Sequence, residues 1–564
     1  MVFRKNLNKK IASVSLHWQR KYLKVGTKFK IRFRSALTPQ GWKTILHLCE
    51  NNPQLHLKIN IIGAGVSGLT AGCYLQMNGY QTEIFEKHSI PGGLCTSWKK
   101  GAFTIDGCVH WILGSDKGSS FYKMWSELLP MESIPFKNHE QRLELEVEKT
   151  RNKYGSKVFH LYTDLQRLQE YLIDLAPEDT AVIKSFIRPM RVMQKFDLPP
   201  VMDDLPLIPS LIQGIKMSRY LEFLYWFLKL KKQTNFTFAE KLKNPFLKES
   251  FQLLYDGEEV NMMVLTMPLS SFDKKSAGYP IGGSLSFAKR IEEQYLALGG
   301  KIHYKTPVKK ILVENDTAVG LLVRNDVIHY SDITISAADW YTTVFEALEG
   351  KYVSQDILDL KNLKKLEVFY SVMQFSFGLN GDYKDVPHFS RFPLEEELIS
   401  PDGTRYKRLE VHVYNYDPTL APKGKTVVTV SFYTTKREFW INLRKNERPK
   451  YRQAKAEFQD KIIELLDARL GGIKDRIEMS DVATPATFQR YTYNWKGSTQ
   501  GWLPGKNLLA ASPVQFELPG LKNFYNSSHW NQPGGGLPIA ISTGRAIARF
   551  ICKKDKKRFT AKKI

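Results

Sequence analysis

Apolar and polar positions change their period along this chain, and each change marks an element. Lys58-Ile-Asn-Ile-Ile62 is a short apolar run that stops at a glycine, the pattern of a buried parallel strand. From Val66 to Met77 the residues are apolar and rich in helix formers, and Asn78-Gly79 tolerate the left-handed backbone that ends a helix. Gln81 to Phe85 reads as a second strand. Further on, Leu285 to Leu298 reads as a helix closed by Gly299-Gly300, followed by a strand from Lys301 to Tyr304. Residues 345 to 490 are strand-rich around Glu367 to Leu379, Arg408 to Tyr416 and Lys425 to Tyr433. Leu205 to Lys232 alternates aromatic and aliphatic residues with Lys216, Arg219, Lys229 and Lys231. It reads either as a basic amphipathic helix dipping into a membrane or as a helix lining or capping a substrate domain.

With 564 residues the chain is too long for one core, so two or three domains are expected. No run of eighteen uncharged apolar residues exists, so no membrane-spanning helix is expected. Cys49, Cys73, Cys95, Cys108 and Cys552 show neither C-x-x-C nor metal-ligand spacing, which predicts unpaired thiols in a reducing compartment and no metal. The formal charge of +25 gathers at the ends: residues 1–57 hold twelve Lys or Arg against Glu50 alone, and residues 549–564 hold eight against Asp555. The 62 basic and 55 acidic residues between leave a mildly basic body. Confinement of charge to the ends, without an aromatic stacking platform, argues against a nucleic-acid partner. The basic ends fit a poorly ordered extension, an electrostatic grip on anionic lipid, or an organelle import segment. A cytoplasmic protein, membrane-associated or imported, is the resulting expectation. The Asp203-Asp204 pair reads as a solvated helix start rather than an acid-base dyad.

Chemistry enters with the glycines. Gly63-Ala64-Gly65-Val66-Ser67-Gly68 has the G-x-G-x-x-G spacing of a dinucleotide site, between strand and helix. Gly63 permits the tight turn, Gly65 lets backbone approach a pyrophosphate, and Gly68 lets the helix pack on the sheet. The helix N-terminus then favours the phosphates. Glu86, with Lys87 after it, ends the second strand where a ribose-binding acid is needed. A second glycine element, Pro91-Gly92-Gly93-Leu94, leads into Gly101-Ala-Phe-Thr-Ile-Asp-Gly-Cys-Val-His-Trp111. A third, Pro533-Gly534-Gly535-Gly536-Leu537, opens an apolar helical run through Ala548.

Three glycine elements in this order resemble flavoproteins of the amine oxidase superfamily, and within it the phytoene desaturase, carotenoid isomerase and retinol saturase family, from about Lys58 to Cys552. Gly92-Gly93 resembles their second phosphate-binding turn and Phe103-Thr-Ile-Asp-Gly107 their Phe-x-x-Asp-x-Gly strand. Val308 matches the valine whose backbone meets adenine, and Ser331 to Asp339 resembles the returning strand beside the flavin. The chain departs from the family at Leu94, where arginine is common, and at Ser527-Ser528-His529-Trp530 before the proline.

The resemblance implies an α/β fold with an α+β substrate domain: a discontinuous Rossmann-like FAD-binding domain of the glutathione reductase/amine oxidase type with an inserted substrate domain. The expected divisions are a basic extension 1–57; an FAD-binding domain 58–145, 275–345 and 500–552; a substrate-binding domain 146–274 and 346–499; and a basic tail 553–564. It also implies FAD, with NAD(P)H as one candidate external reductant, and an apolar isoprenoid or carotenoid-like substrate reached by peripheral membrane contact. The expected chemistry is hydride exchange with flavin N5 that desaturates, saturates or isomerises C=C bonds. His110, Trp111, His529 and Trp530 are the candidates for facing the flavin, a histidine there being able to shuttle a proton near neutral pH. Packing around the ring is their competing role. Asp106 and Asp339 read as structural acids. An amine oxidase and a non-catalytic flavin-binding lipid-associated protein are the rival functions.

Overall fold

The computed structural model describes residues 57–196, 211–364, 366–503 and 514–562. Nearly all of the basic extension, Cys49, Asp203-Asp204 and the first residues of the Leu205 to Lys232 stretch lie outside the described residues.

Five short strands form a wholly parallel sheet: β1 (Lys58–Ile62), β2 (Gln81–Phe85), β3 (Lys301–His303), β4 (Ile333–Ser336) and β5 (Phe524–Asn526). Their order is β3-β2-β1-β4-β5, the arrangement of a dinucleotide-binding sheet. The register puts Ile59 beside Thr82 on one side and Ile333 on the other. Strands this apolar need both faces covered. Helices α1 (Val66–Met77), α2 (Gly283–Ala297) and α3 (Gly536–Lys554) provide part of that cover. Glycines let α1 sit close to both others. A Cβ at Gly72 would stand 2.6 Å from the Tyr295 ring of α2, and one at Gly544 of α3 would stand 2.7 Å from Thr70. The core beneath holds Ile59, Ile61, Leu69, Ile541 and Ile547, all fully buried. Each such side chain contributes about 1.5–3 kcal/mol by leaving water.

The remaining large sheet is mixed and seven-stranded. Its spatial order is Ile477–Ala483, Ser371–Asn380, Lys425–Thr434, Arg405–Val413, Phe389–Ile399, Gln141–Glu146 and Val158–Tyr162. Helices Arg437–Asn446 and Arg448–Leu470 join it in one core around Phe375, Val430, Phe458 and Ile462. Helices Leu165–Leu175, Thr180–Gln194, Pro245–Leu253 and Met263–Asp273 pack with Leu143, Leu145, Phe159 and Leu161 in another.

A helix at Leu211–Lys231 falls within the Leu205 to Lys232 stretch. Over its described side chains, Trp226 and Leu230 are buried while Leu221, Leu224, Tyr225 and Leu228 are exposed. Among the described residues, no helix is long and apolar enough to cross a membrane.

Candidate functional site

The first glycine turn does three separate jobs. Gly63 takes φ +97°, and its N–H donates to the Phe85 carbonyl at 2.9 Å, carrying the β1–β2 pairing into the turn that leads to α1. At Gly68 a Cβ would fall 2.0 Å from the Gly63 carbonyl oxygen, so only glycine lets α1 start this close to the strand. A Cβ at Gly65 would meet no atom within 4 Å. Gly65 is also the N-cap of α1 and makes no side-chain cap, which leaves first-turn N–H groups facing open space.

Other chain passages converge on that space. The Gly92 N–H donates to the Ala64 carbonyl at 2.8 Å, and Gly93 lies against the Gly65 Cα. Ser67 Oγ donates to the Ser527 carbonyl at 2.9 Å, tying α1 to the segment after β5. Helix α3 has Gly535 as its N-cap, again without a side-chain cap. Gly534 borders open space, and Gly535 sits so close to the Gln500 carbonyl that any Cβ would collide with it. Glu86 is buried, accepting the Ala64 N–H at 2.7 Å and the His88 N–H at 2.7 Å. Burial raises its carboxyl above the usual range against the pull of those amides.

Two buried polar atoms at and just after the end of β5 have no partner among the described residues: Asn526 Oδ1 and His529 Nε2. Two uncapped helix starts, a second glycine turn, a carboxylate beside the first turn and two orphaned polar atoms fit a ligand with a diphosphate, a ribose and a polar ring.

The other expected cofactor residues fall at varied distances from this centre. Val308 packs with Ile62 and Phe85 in one cluster, and the loop before it is held to the end of β2, since Thr306 N–H donates to the Glu86 carbonyl at 2.8 Å. Val66 is buried as the first residue of α1 and Leu537 is half-buried at the start of α3. Leu94 packs beside Trp98, Val372 and Phe488. Lys87 points elsewhere: its ammonium donates to the Arg490 carbonyl at 2.7 Å and lies over the Tyr493 ring. Burial pushes its pKa down to about 7.

Asp106 and Asp339 hold backbone. Asp106 accepts the Cys108 N–H at 3.0 Å, the Val109 N–H at 3.2 Å and the Ser284 N–H at 2.6 Å, so it joins its own turn to the start of α2. Asp339 accepts the Thr342 N–H at 2.7 Å and the Trp495 N–H at 2.9 Å. Burial pushes its carboxyl up to about 7.

Beside the third glycine element lies a cavity of about 2310 Å³. Its lining includes Asn526, Pro533 and Gly534 at the third glycine element, and the aromatic residues Trp111, Phe272 and Phe389. Of the four proposed flavin-facing residues, His110 and Trp111 line this cavity; His529 and Trp530 do not. Trp111 meets Phe272 edge-on at 5.4 Å, and His110 stacks on His412 at 4.3 Å. Trp530 is fully buried among Trp495 and Trp502, with its indole N–H on Asn494. It is core. Burial holds His110 well below the usual histidine range and pushes His529 down to about 4, so both are neutral at pH 7.

Sequence reasoning missed the polar part of the cavity. Glu410 pairs with Arg391 and faces His412 at 3.5 Å, while Arg408 is held by Glu148 at 2.7 Å. The only signal was a run of alternating charged and apolar residues, which reads equally well as a solvated strand face.

Residues 61–128 match the model of an NAD(P)-binding Rossmann-like domain. The chain is 25% identical to the chloroplastic prolycopene isomerase of Daucus carota, over 87% of this chain and 79% of that protein. It is 24% identical to a 4,4'-diapophytoene desaturase (4,4'-diapolycopene-forming) of Methylomonas sp, over 89% and 96%. A solved structure of a putrescine oxidase double mutant superposes with a TM-score of 0.53 at 13% identity, covering 89% of this chain and 100% of the other. The fold is that of the FAD-dependent oxidoreductases of amine oxidase type.

Proposed function

We propose that this chain, a relative of the carotenoid isomerases and desaturases along nearly its whole length, is an FAD-dependent oxidoreductase acting on the CH–CH or C=C bonds of a long isoprenoid. The observation that carries the reading is a shared wall: Asn526, Pro533 and Gly534 belong to the glycine-lined dinucleotide site and also line the large cavity. A ligand in one therefore meets a ligand in the other.

Bound FAD supplies reversible hydride chemistry, which serves desaturation, saturation or isomerisation. The chain's own residues bind and orient. The N–H groups opening α1 and α3 are available to the diphosphate, the Glu86 carboxylate to ribose hydroxyls, and Asn526 Oδ1 and His529 Nε2 to the edge of a polar ring. Trp111, Phe272 and Phe389 give the substrate an aromatic wall that excludes water. An isoprenoid reaches such a cavity most directly from lipid. Leu228 and Val264 lie at once on exposed apolar surface and on the cavity lining, with Lys231 and Lys232 beside them. That arrangement supports docking of the cavity mouth on an anionic membrane.

The test is spectroscopic. Purified protein should be yellow, and anaerobic carotenoids, retinoids and other isoprenoids, with and without NADPH, should reveal the reaction. Bleaching by NADPH with reoxidation by a polyene marks a saturase; bleaching by a polyene alone marks a desaturase. Bleaching by polyamines but by no isoprenoid would replace this reading with that of an amine oxidase. Colourless protein that takes up no flavin on reconstitution would overturn both.

A further inference from the structure

The cavity holds a charge that a hydrocarbon substrate cannot use. Arg142 lies on the strand Gln141–Glu146 and lines the cavity, yet its guanidinium has no hydrogen-bond or ion-pair partner among the described residues. It stands between two rings, 5.7 Å from the centre of Phe272 and 4.9 Å from that of Phe389. The local backbone is built to present it. The register against Val158–Tyr162 shifts between Gln141, opposite Tyr162, and Leu143, opposite Leu161, so Arg142 is the extra residue of a β-bulge. Bulges re-aim side chains, and here strict alternation would put Arg142 and Leu143 on opposite faces, whereas both line the cavity.

Nearby charges are already matched. Arg391 is bonded to Glu410 and to the Leu254 carbonyl, and Arg408 to Glu148 and the Glu146 carbonyl. Asp256 lies 3.9 Å from Arg408. Arg142, half-buried on the cavity lining, is the one of these three arginines with no direct bond to a carboxylate or carbonyl among the described residues. The hydroxyls of Tyr255 and Tyr433, also on the cavity lining, make no hydrogen bond within the described residues and add neutral donors.

We propose that the substrate is an isoprenoid acid, its chain in the aromatic part of the cavity and its carboxylate on Arg142. One planar guanidinium offers a fork of N–H groups that matches one carboxylate, and one guanidinium without a direct partner suits a monoanion better than a diphosphate. Phe272 links this anchor to Trp111 through their edge contact, and His110 adjoins Trp111 on the same lining. The inference rests on the isoprenoid reading of the same site, and it narrows the substrate class.

Quenching of tryptophan emission tests it without needing flavin, because Trp111 and Trp340 line the cavity. The full chain is titrated with all-trans-retinoic acid, its methyl ester and all-trans-retinol, three ligands of one chain length and different heads. The acid should bind at least about tenfold more tightly than either neutral analogue. In Arg142→Gln that preference should vanish, with ester affinity unchanged within about twofold, and Arg142→Lys should keep part of it. Equal binding of all three by the wild type, or acid preference surviving in Arg142→Gln, overturns the proposal. Neutral isoprenoids that bind equally well and still reoxidise or reduce a bound flavin would sink the acid anchor and leave the oxidoreductase reading standing. Acid-selective, Arg142-dependent binding by protein that takes no flavin would do the reverse.

Discussion

Two neighbouring glycines separate folding from cofactor binding. Gly65→Ala introduces a methyl that meets no protein atom, at a residue whose φ of −67° alanine adopts readily. Thermal stability should stay within about 1 kcal/mol of the wild type while flavin affinity falls at least tenfold. Gly68→Ala drives a methyl to 2.0 Å from the Gly63 carbonyl and should cost about 1–3 kcal/mol or more, so thermal unfolding tells the two apart. Glu410 makes a second residue-scale prediction. Burial works to raise its carboxyl, but Arg391 and His412 overcome that and hold it well below the usual range. A depressed carboxyl stabilises the fold at pH values above its unfolded pKa, and the contribution is lost as pH falls toward the folded one. Glu410→Gln should therefore cost about 3 kcal/mol or more at pH 7 in denaturant unfolding, and the gap should close on acidification below about pH 4.5. His529 was visible in the sequence as a histidine near the last glycine element, but its burial was not. His529→Ala should lower flavin affinity through the lost Nε2 and leave the pH profile of turnover between 6 and 8 unshifted. Arg142 was invisible for a different reason: a bulge depends on the partner strand, and the run Gln-Arg-Leu-Glu-Leu-Glu carries no mark of it.

The helix at Leu211–Lys231 shows what an element can disclose by itself and what it cannot. Its helical nature and its mixture of apolar and basic residues were legible, because periodicity is local. Which apolar residues stay outside was not legible, since that depends on the neighbouring helices. The exposed set, Leu221, Leu224, Tyr225 and Leu228, follows i, i+3, i+4, i+7 spacing and forms one stripe. Replacing Leu221 and Leu224, which lie outside the cavity lining, with serine should move the unfolding midpoint little while cosedimentation with anionic liposomes drops several-fold. Equal cosedimentation would mean that this stripe is not what meets the lipid. The first βαβ unit was legible for the opposite reason, as Lys58–Ile62, Val66–Met77 and Gln81–Phe85 carry strand, helix and turn signals within one short window. The seven-stranded sheet lay beyond reach: its strands could be suspected, but Phe389–Ile399 lies beside Gln141–Glu146 through pairing across some 250 residues.

At the scale of the molecule, the cofactor site is assembled from distant parts of one chain. Ser67 bonds to Ser527 across 460 residues, and β5 and α3, which complete the sheet and its cover, are the last large elements of the fold. The three glycine elements made that return legible, because each carries its own motif; the intervening sheet carries none. Contacts this remote slow folding, since loop entropy is spent before any contact repays it. During synthesis at roughly 5–20 residues per second, the Ser67 turn would wait on the order of 25–90 seconds for its partner to leave the ribosome. Through that interval β1 lacks the completed sheet and α1 lacks α3, both apolar and both uncovered on one side. Nascent chains stalled before residue 524 should therefore recruit chaperones and retain no flavin, whereas chains released after residue 554 should acquire both sheet and cofactor in one late step.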